Sequence, residues 1–357
     1  MDHLSRRQRL AGRLGALDVD AVLVSRLANV RYLTGFTGSS AMALLAAGEG
    51  VFFTDGRYDE QSRHEVPDLE REASLEPPAP AILRHCRRLG VSRLGFERHQ
   101  VTVAQHDAWR EALEGIELVG LAQEVERLRW TKDDDELRVL GAAQDATDAA
   151  FDAILDVVAV GMTERQLAAR LEEALDQNGS DGLSFDPIVA FGEHAAEPHH
   201  TPCHRALAEG DVIKLDFGAL VDGYHTDFTR TVAFGEPTPE LRKVHDLVAE
   251  AQQAGIDALR VGAVGRDVDA AARNVIAEGG YGEGFSHGLG HGVGLEIHEG
   301  PSLGTRSDDT LPSGAVITVE PGVYLPGIGG VRIEDAVVVT EDGGRPLGSS
   351  TRELIEL

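Results

Sequence analysis

The amino-acid sequence predicts an α+β protein of two domains. Its 357 residues are enough for two domains of ordinary size. Up to about residue 126, helical and strand patterns alternate, which is typical of a small α/β domain. From there on, a pair of helical patterns followed by strands occurs twice. We therefore expect an N-terminal domain over residues 1–126 and a larger domain over residues 127–357.

Short apolar segments predict the strands of the N-terminal domain. An amphipathic opening of about 17 residues predicts a first helix. The strand candidates that follow are Ala21–Val24, Ala41–Ala46 and Val51–Thr54, and Asp55-Gly56 after them is a turn signal. A charged stretch within residues 124–134 then precedes a long helical pattern, so we place the domain boundary there.

The larger domain is predicted from two helix pairs and the strands between and after them. The predicted helices are Glu136–Val158, Met162–Asn178, Pro239–Leu259 and Gly265–Glu278. Thr163 and Gln166 form a capping-box pattern at the start of the second helix, and Gly179 follows its end. The predicted strands are Ile188–Phe191, Asp211–Val221, Ala315–Glu320 and Val331–Thr340.

Charge and hydropathy exclude several classes of function. The formal net charge is −27, which argues against a nucleic-acid partner because phosphates would be repelled. No run approaches the roughly 18 apolar residues of a membrane helix, so no membrane partner is expected. The first 17 residues are polar and arginine-rich without an apolar core, which argues against a secretory signal. We expect a cytoplasmic protein.

The two cysteines, Cys86 and Cys203, are too few for a disulfide framework. Cys203 lies next to His199, His200 and His204, an arrangement that invites a zinc-site interpretation. The spacing of a complete ligand set is missing, however, and a reduced thiol is therefore favoured.

A predicted β-hairpin places two acidic residues on one face of a sheet. With Asp222-Gly223 as a two-residue loop, Asp216 pairs with Thr229 and lies diagonal to Asp227. Asp216 is embedded in an apolar strand, where an unpaired carboxylate would cost several kcal/mol. A solvent-exposed acidic face is the alternative, but a bound metal explains the burial better.

Three further residues complete a set of possible metal ligands. His291 stands among glycines, which suit the wall of a site better than a regular strand or helix, while Glu320 ends an apolar strand and Glu334 lies within the predicted strand Val331–Thr340. Four carboxylates with one imidazole are an oxygen-rich donor set that suits Mn²⁺, Co²⁺ or Zn²⁺ pairs. Two such ions about 3.5–4 Å apart can share one water and catalyse hydrolysis.

The stretches around these residues resemble one family of enzymes. They are Leu215–Gly218 (LDFG), Gly223–Thr231 (GYHTDFTRT), Ser286–Pro301 (SHGLGHGVGLEIHEGP), Thr318–Tyr324 (TVEPGVY) and Gly330–Asp335 (GVRIED). Together they are similar to the Xaa-Pro metallopeptidases, aminopeptidase P and prolidase. The resemblance implies a C-terminal pita-bread catalytic domain behind a smaller creatinase-type N-terminal domain. Tyr32–Ser39 and Thr54–Tyr58 are similar to short bacterial aminopeptidase P-like proteins.

The resemblance also implies roles for individual residues. Asp216, Asp227, His291, Glu320 and Glu334 correspond to the metal ligands of the family. Glu320 would in addition be the general base that takes a proton from the water between the metals, and Glu334 would bridge the two metals.

Four residues outside the ligand set correspond to catalytic or substrate-side positions of the family. His199 and His298 match two histidines on the substrate side, the second of which donates a hydrogen bond to the scissile carbonyl, and His287 matches a further substrate-binding histidine. Arg332 shares a strand face with Glu334; it is expected to gate or contact the substrate, to form a salt bridge with a ligand carboxylate, or to do both. His200, His204 and His225 receive no role, although only one residue of alignment separates His200 from His199.

The function predicted from this resemblance is a dinuclear-metal Xaa-Pro aminopeptidase. Mn²⁺ is the expected metal, with Co²⁺ or Zn²⁺ possible, and proline-containing peptides are the expected substrates. A homodimer is expected from the family. The first alternative is a prolidase restricted to dipeptides. A methionine aminopeptidase, a creatinase-like hydrolase without metal and a non-catalytic scaffold are less favoured, because the N-terminal domain and all five ligand positions are present.

Overall fold

The computed structural model describes all 357 residues, which form two compact units, Met1–Arg129 and Trp130–Leu357. The chain divides within the charged stretch 124–134 that the sequence analysis singled out. Both units combine helices with sheets, which confirms the predicted α+β class. None of the α-helices is both long and apolar enough to cross a membrane.

The first unit is built on one six-stranded sheet. Its strands are β1 (Ala21–Val24), β2 (Ala41–Ala46), β3 (Gly50–Thr54), β4 (Glu70–Ala73), β5 (Arg93–Glu97) and β6 (Glu117–Leu121), in the order β4-β3-β2-β1-β5-β6. Strand β2 runs antiparallel to both of its neighbours, whereas the other pairs are parallel. All three strands predicted from the sequence are present, and β1 and β2 have the predicted bounds.

Six helices accompany this sheet. They are α1 (His3–Ala11), α2 (Leu27–Thr34), α3 (Asp59–Glu65), α4 (Ala79–Arg88), α5 (Val103–Ala112) and α6 (Glu124–Arg129). Asp55 caps the single 3₁₀ turn Gly56–Tyr58 by accepting from the Arg57 amide, so the predicted turn at Asp55-Gly56 is confirmed. Apolar side chains of α4 and α5 pack on the sheet and form the core of the unit.

The second unit contains two helix pairs and a larger number of strands. The helices are α7 (Asp134–Leu155), α8 (Glu164–Gln177), α9 (Pro239–Ala258) and α10 (Gly265–Glu278). The strands are β7 (Gly182–Leu183), β8 (Ile188–Phe191), β9 (Val212–Phe217), β10 (Ala219–Val221), β11 (Tyr224–His225), β12 (Phe228–Ala233), β13 (Gly290–Gly292), β14 (Glu299–Leu303), β15 (Val316–Val319), β16 (Gly322–Leu325), β17 (Gly329–Arg332), β18 (Asp335–Thr340) and β19 (Gly343–Pro346).

Each helix pair of the second unit packs on its own sheet. Helices α7 and α8 share a core with β8, β9 and β12, while α9 and α10 share a second core with β15, β17 and β18. The predicted capping box at Thr163 and Gln166 is present, and Gly179 has a φ of 93° directly after the helix. The unit therefore consists of two halves, one with α7 and α8 on their strands and the other with α9 and α10 on theirs. The sheet residues between these halves can form a site.

The hairpin with the two aspartates has the predicted register. Val221 pairs with Tyr224 across Asp222-Gly223, and both loop residues have positive φ, as a type I′ turn requires. Thr229 pairs with Asp216, so Asp227 is the diagonal neighbour of Asp216 on the same face. The sheet register itself therefore brings the two carboxylates to one side.

Two predicted strands are each broken into two, and both breaks lie at the site. Asp211–Val221 is wrong as one strand, because Gly218 separates β9 from β10. Val331–Thr340 is also wrong as one strand, because Glu334 leaves the ladder and its amide instead donates to the Thr229 carbonyl at 3.0 Å. The second break carries Glu334 across to the hairpin with Asp216 and Asp227.

Replacement of Gly218 by alanine is expected to destabilise the protein by at least about 2–3 kcal/mol, since the added Cβ meets backbone that cannot rotate away. That atom would lie 1.9 Å from the Thr226 carbonyl oxygen. Urea unfolding measures the effect. Gly141→Ala in α7 is the matched control, because nothing lies within 4 Å of its added Cβ and a helical alanine is favoured over glycine. Equal urea midpoints for Gly218→Ala and Gly141→Ala would contradict the close approach of Gly218 to the Thr226 carbonyl.

Candidate metal centre

Five acidic or imidazole side chains of the second unit line one cavity of about 540 Å³. They are the predicted set Asp216, Asp227, His291, Glu320 and Glu334, and they come from both halves of the unit. Asp216 and Asp227 belong to the hairpin, whereas the other three lie at the ends or edges of β13, β15 and β17. Chain folding thus collects residues that are up to 118 positions apart, from 216 to 334.

The carboxylates of this cluster are deeply buried. Asp216 and Asp227 are each 6% exposed and Glu334 is 1% exposed. One ligand atom from each of Asp227, His291 and Glu334 lies within 4.8 Å of the others. Thr229 donates its hydroxyl to Glu334 Oε2 at 2.6 Å, which fixes one oxygen of that side chain and leaves the other to face the cluster.

His291 is oriented so that one ring nitrogen faces the carboxylates. Its Nδ1 lies 3.0 Å from the Gly292 carbonyl, to which it donates a proton, so Nε2 carries the lone pair whenever the imidazole is neutral. Nε2 is 3.5 Å from both Asp227 Oδ2 and Glu320 Oε1. Thr318 Oγ1 connects the two elements, because it accepts from the His291 amide and donates to Glu320 Oε1. This is the arrangement of a metal-binding imidazole whose other nitrogen is held by the backbone.

Two buried carboxylate oxygens indicate that the cluster can accept a cation. Asp216 Oδ1 and Glu334 Oε1 are buried and have no hydrogen-bond partner. An unsatisfied buried carboxylate oxygen costs more than the roughly 1–3 kcal/mol of a neutral group. A divalent cation between the two halves would satisfy both oxygens, so the residues present fit the metal pair that the sequence predicts.

The pKa values of the cluster residues are also shifted by burial and by neighbouring charges. Burial, with the neighbouring carboxylate charge of Asp227, raises the pKa of Asp216 to about 6 and that of Glu320 to about 7. Burial also raises the pKa of Glu334 well above its usual range. Although burial opposes it, the contacts of His291 with Asp227 and Glu320 raise the pKa of this imidazole to about 9. Bound cations would reverse this by favouring the ionised carboxylates and the neutral imidazole.

Arg332 joins the cluster to a chain of hydrogen bonds. Its guanidinium is 3% exposed, forms an ion pair with Asp216 and donates to Thr229 Oγ1 at 3.1 Å. It also donates to the Tyr324 hydroxyl at 2.8 Å, which lies 2.8 Å from His287 Nε2. His287 Nδ1 donates to the Gly288 carbonyl, so the Tyr324 hydroxyl donates to Nε2. The salt bridge predicted for Arg332 is present, with Asp216 as its partner.

Substituting phenylalanine for Tyr324 is expected to reduce kcat/KM about tenfold and to destabilise the protein by about 1–2 kcal/mol. The reason is that Arg332 and His287 both lose a buried hydrogen-bond partner. Peptide hydrolysis and thermal unfolding measure the two effects. Tyr281→Phe is the matched control, since its hydroxyl contacts Glu240 at the surface. If Tyr324→Phe has the same kcat/KM and the same stability as this control, the hydrogen bonds of Tyr324 contribute to neither.

The two remaining predicted histidines line the same cavity from more exposed positions. His199 lies on the segment between β8 and β9, and His298 lies just before β14. Burial lowers the pKa of both imidazoles, with contributions from Arg332 at His199 and from His291 at His298. Both are therefore neutral at neutral pH and retain one N–H that can donate to a bound substrate.

Sequence reasoning missed four residues that organise the site. Tyr324, Thr229 and Thr318 make the hydrogen bonds described above, and all three lie inside the quoted stretches but were not singled out. Lys214 is fully buried two residues before Asp216, and its Nζ donates to the carbonyls of Ala195 and Pro198 at 3.2 and 3.4 Å. It thereby fixes the segment that carries His199.

The other histidines have different surroundings. His204 is exposed, and His225 Nδ1 lies 3.0 Å from the Ser184 carbonyl. His200 is buried and, with Cys203, faces Glu164. Of the three histidines near Cys203 in the sequence, His200 lies beside it in the structure, whereas His199 and His204 do not belong to this group and His194 does.

Profiles of two known families match the chain. Metallopeptidase family M24 matches residues 138–341, and the creatinase/prolidase N-terminal domain matches residues 6–131. Among curated proteins, an Xaa-Pro dipeptidase of Pyrococcus furiosus is 33% identical over 98% of this chain and 99% of its own length.

Solved structures give the same result. An Xaa-Pro dipeptidase from Bacillus anthracis is 38% identical, covers 99% of this chain and 100% of that one, and superposes with a TM-score of 0.96. An X-Pro aminopeptidase from Thermotoga maritima is 35% identical with the same coverage and a TM-score of 0.91. The predicted family resemblance and the predicted fold, a pita-bread domain behind a creatinase-type domain, are confirmed.

Proposed function

The chain belongs to metallopeptidase family M24, and from that premise we propose that it is a two-metal Xaa-Pro aminopeptidase. The observation that carries the proposal is the convergence of Asp216, Asp227, His291, Glu320 and Glu334 on one cavity, with two buried carboxylate oxygens that lack a partner. These five residues would hold two divalent ions, of which Mn²⁺ fits the oxygen-rich donors. When bound, such ions supply the Lewis acidity that activates a water and polarises the scissile carbonyl.

Glu320 is the proposed general base. It lies at the inner end of β15, its Oε1 accepts from Thr318 at 3.1 Å, and the other oxygen is free to face the cavity. Bound cations would favour the ionised form of this carboxylate, which is the form that accepts a proton. Glu320 takes the proton of the attacking water and then delivers it to the prolyl nitrogen, which leaves as a secondary amine.

His298 and His199 are the proposed donors to the substrate. Their neutral imidazoles line the same cavity as the carboxylates, where a developing negative charge on the carbonyl oxygen needs a hydrogen-bond donor. One preorganised donor of this type is commonly worth about 3–4 kcal/mol of barrier. Arg332 and His287 position the carboxylates and the cavity wall through Tyr324.

The ring of proline is compatible with this mechanism because none of its steps needs a peptide N–H. The bond that breaks is an imide whose nitrogen has no hydrogen, which removes the contact that many other peptidases use. Phe185, Pro187, Pro198, Pro202 and Ile297 give the cavity an apolar wall that suits a pyrrolidine ring.

One feature of the cavity favours an aminopeptidase over a dipeptidase. An enzyme restricted to dipeptides must capture the free C-terminal carboxylate of its substrate, and a guanidinium or ammonium is the usual group for this. Among the lining residues Arg332 is the one such cation, and it already pairs with Asp216. An enzyme that accepts peptides continuing beyond proline does not need to capture this carboxylate.

An Xaa-Pro dipeptidase is the second candidate. It is favoured by the names of the relatives from Bacillus anthracis and Pyrococcus furiosus, which match over almost their full lengths. In a dipeptidase the carboxylate would have to be captured by imidazoles or by groups from a second copy of the chain. For the aminopeptidase and the dipeptidase alike, we propose that the protein is a homodimer and that it is located in the cytoplasm.

Peptide length separates the two candidates. We expect protein stripped of metal and resupplied with Mn²⁺ to cleave both Ala-Pro and Ala-Pro-Ala, measured by release of free alanine. Ala-Ala and Ala-Ala-Ala are the controls, and neither should be cleaved at a comparable rate. Cleavage of Ala-Pro alone would establish the dipeptidase instead. If no proline peptide is cleaved with Mn²⁺, Co²⁺ or Zn²⁺, both candidates are wrong.

A further inference from the structure

A second cluster of metal-ligating side chains lies under the segment that carries His199. It consists of Glu164, His194, His200 and Cys203, each of which offers one ligand atom within 4.8 Å of the others. Glu164 is fully buried, His200 is nearly so, and the other two are partly exposed. None of the four is among the proposed ligands of the catalytic metals.

The fold brings these residues together from two elements. Glu164 is the first residue of α8, directly after the capping residue Thr163. The segment 192–205 leaves β8, passes over the start of α8 and returns through Cys203. His194 Nδ1 and His200 Nε2 approach the two Glu164 oxygens at 2.9 and 2.8 Å, while Cys203 Sγ is 4.0 Å from His194 Nδ1.

Glu197 supports the cluster from outside. Its Oε2 lies 2.6 Å from His200 Nδ1, so this carboxylate accepts one ring proton and leaves Nε2 to face Glu164 and Cys203. A carboxylate behind the outer nitrogen of an imidazole is the arrangement found around metal-binding histidines in general. The cluster therefore has an outer shell as well as four potential ligands.

We propose that Glu164, His194, His200 and Cys203 bind a single Zn²⁺ ion. One carboxylate, two imidazoles and one thiolate are a four-ligand set that matches tetrahedral zinc. With ordinary Zn–N and Zn–S distances, neighbouring ligand atoms would be about 3.3–3.6 Å apart. The three contacts above, at 2.8, 2.9 and 4.0 Å, bracket these values, and all four ligand atoms lie within 4.8 Å of one another, so a bound ion requires shifts of up to about 1 Å. The ion takes the place of the protons now shared between Glu164 and the imidazoles.

Binding is balanced by the release of protons. The Cys203 thiol loses its proton to become a thiolate, and the nitrogens of His194 and His200 that face Glu164 lose theirs. The backbone amides of Phe191 and Cys203, which donate to Glu164 at 2.9 and 3.0 Å, remain as its partners. The softer sulfur and nitrogen donors select Zn²⁺ here, whereas the oxygen-rich catalytic cluster suits Mn²⁺.

A zinc ion at this cluster would cross-link α8 to the segment that carries His199, the proposed substrate-side histidine. His199 lies between His194 and Cys203 in sequence and lines the catalytic cavity, while its neighbour His200 reaches Glu164 in the cluster and also lines that cavity. Lys214 holds the same segment from the other side through the Ala195 and Pro198 carbonyls. A zinc ion would thus fix the position of His199 without touching the substrate.

Cobalt substitution tests the site through its sulfur. Thiolate coordination of Co²⁺ produces a near-ultraviolet charge-transfer band, and the catalytic cluster contains no sulfur. We expect metal-stripped protein to develop this band with one equivalent of Co²⁺ and to lose it when Zn²⁺ is added. Cys203→Ser should abolish the band and lower the bound zinc by one per chain. Cys86→Ala, which removes the buried thiol of the first unit, should keep it.

Two further measurements make the outcome decisive. Zn²⁺ should slow alkylation of Cys203 by iodoacetamide at least tenfold in the wild-type chain. Asp216→Asn should retain the cobalt band, which separates this site from the catalytic one, and circular dichroism verifies that each variant is folded. If Cys203→Ser does not fold, His194→Gln replaces it, because His194 is partly exposed. Absence of the band in the wild type, or its persistence in the folded variant, would overturn the proposal.

Discussion

Replacing Glu320 by glutamine lowers kcat about 10³-fold or more in the proposed mechanism. The amide cannot accept the proton of the attacking water, and general-base catalysis alone is worth about 10²–10⁴-fold. It is also a weaker metal ligand than a carboxylate. The substitution keeps the shape of the side chain, so folding is expected to be unaffected. Steady-state hydrolysis of Ala-Pro-Ala with saturating Mn²⁺ measures the loss.

Glu283→Gln is the matched control for this variant. Glu283 is exposed in the same unit and does not line the cavity, so its replacement should leave kcat unchanged. A Glu320→Gln enzyme that keeps more than a tenth of the wild-type kcat would remove Glu320 from the role of general base. If kcat fell by the same factor in both variants, the loss would come from the removed negative charge and not from general-base catalysis.

The same Glu320→Gln variant is expected to be more stable than the wild type when both are free of metal. Burial raises the pKa of Glu320 from 4.5 to about 7. Because the folded-state pKa lies above the unfolded one, the stability that this carboxyl contributes is complete below about pH 4.5 and is lost as the pH rises through 7. At about 1.4 kcal/mol per pKa unit, the wild type would lose about 3 kcal/mol relative to the variant.

Thermal unfolding of the metal-free proteins tests this expectation. The two proteins should melt together near pH 4.5, and the variant should melt higher by several degrees at pH 8. Added Mn²⁺ should reverse the order at pH 8, since the cation stabilises the ionised carboxylate of the wild type. Comparing the two proteins cancels the titration of histidines that do not contact Glu320. Equal melting temperatures at pH 8 without metal would contradict the burial of an uncompensated charge.

The hairpin and the helices could be predicted because local rules determine them. Asp222-Gly223 fixed the register that places Asp216 opposite Thr229, and α10 has its predicted bounds. Both errors in strand extent arose where tertiary contacts interrupt a continuous apolar pattern. At Gly218 the close approach of the Thr226 carbonyl breaks the strand, and at Glu334 the backbone pairs with Thr229 instead of its own sheet.

The supporting residues were less accessible to sequence reasoning. The family resemblance indicated the five possible ligands, but nothing in the spacing of Tyr324 or Lys214 revealed their partners. Glu164 lies 30 positions before His194 and 39 before Cys203, and no motif around it singled it out. Contacts of this kind depend on how two elements pack, which one sequence does not specify.

Anomalous diffraction from crystals soaked in Mn²⁺ tests the central claim most directly. We expect two anomalous peaks about 3.5–4 Å apart in the cavity, both within coordination distance of carboxylates from the set Asp216, Asp227, Glu320 and Glu334, with His291 on one of them. The Asp227→Asn variant should lose at least one peak together with its activity. Peptide hydrolysis by a protein that shows no manganese at these side chains would contradict the two-metal account.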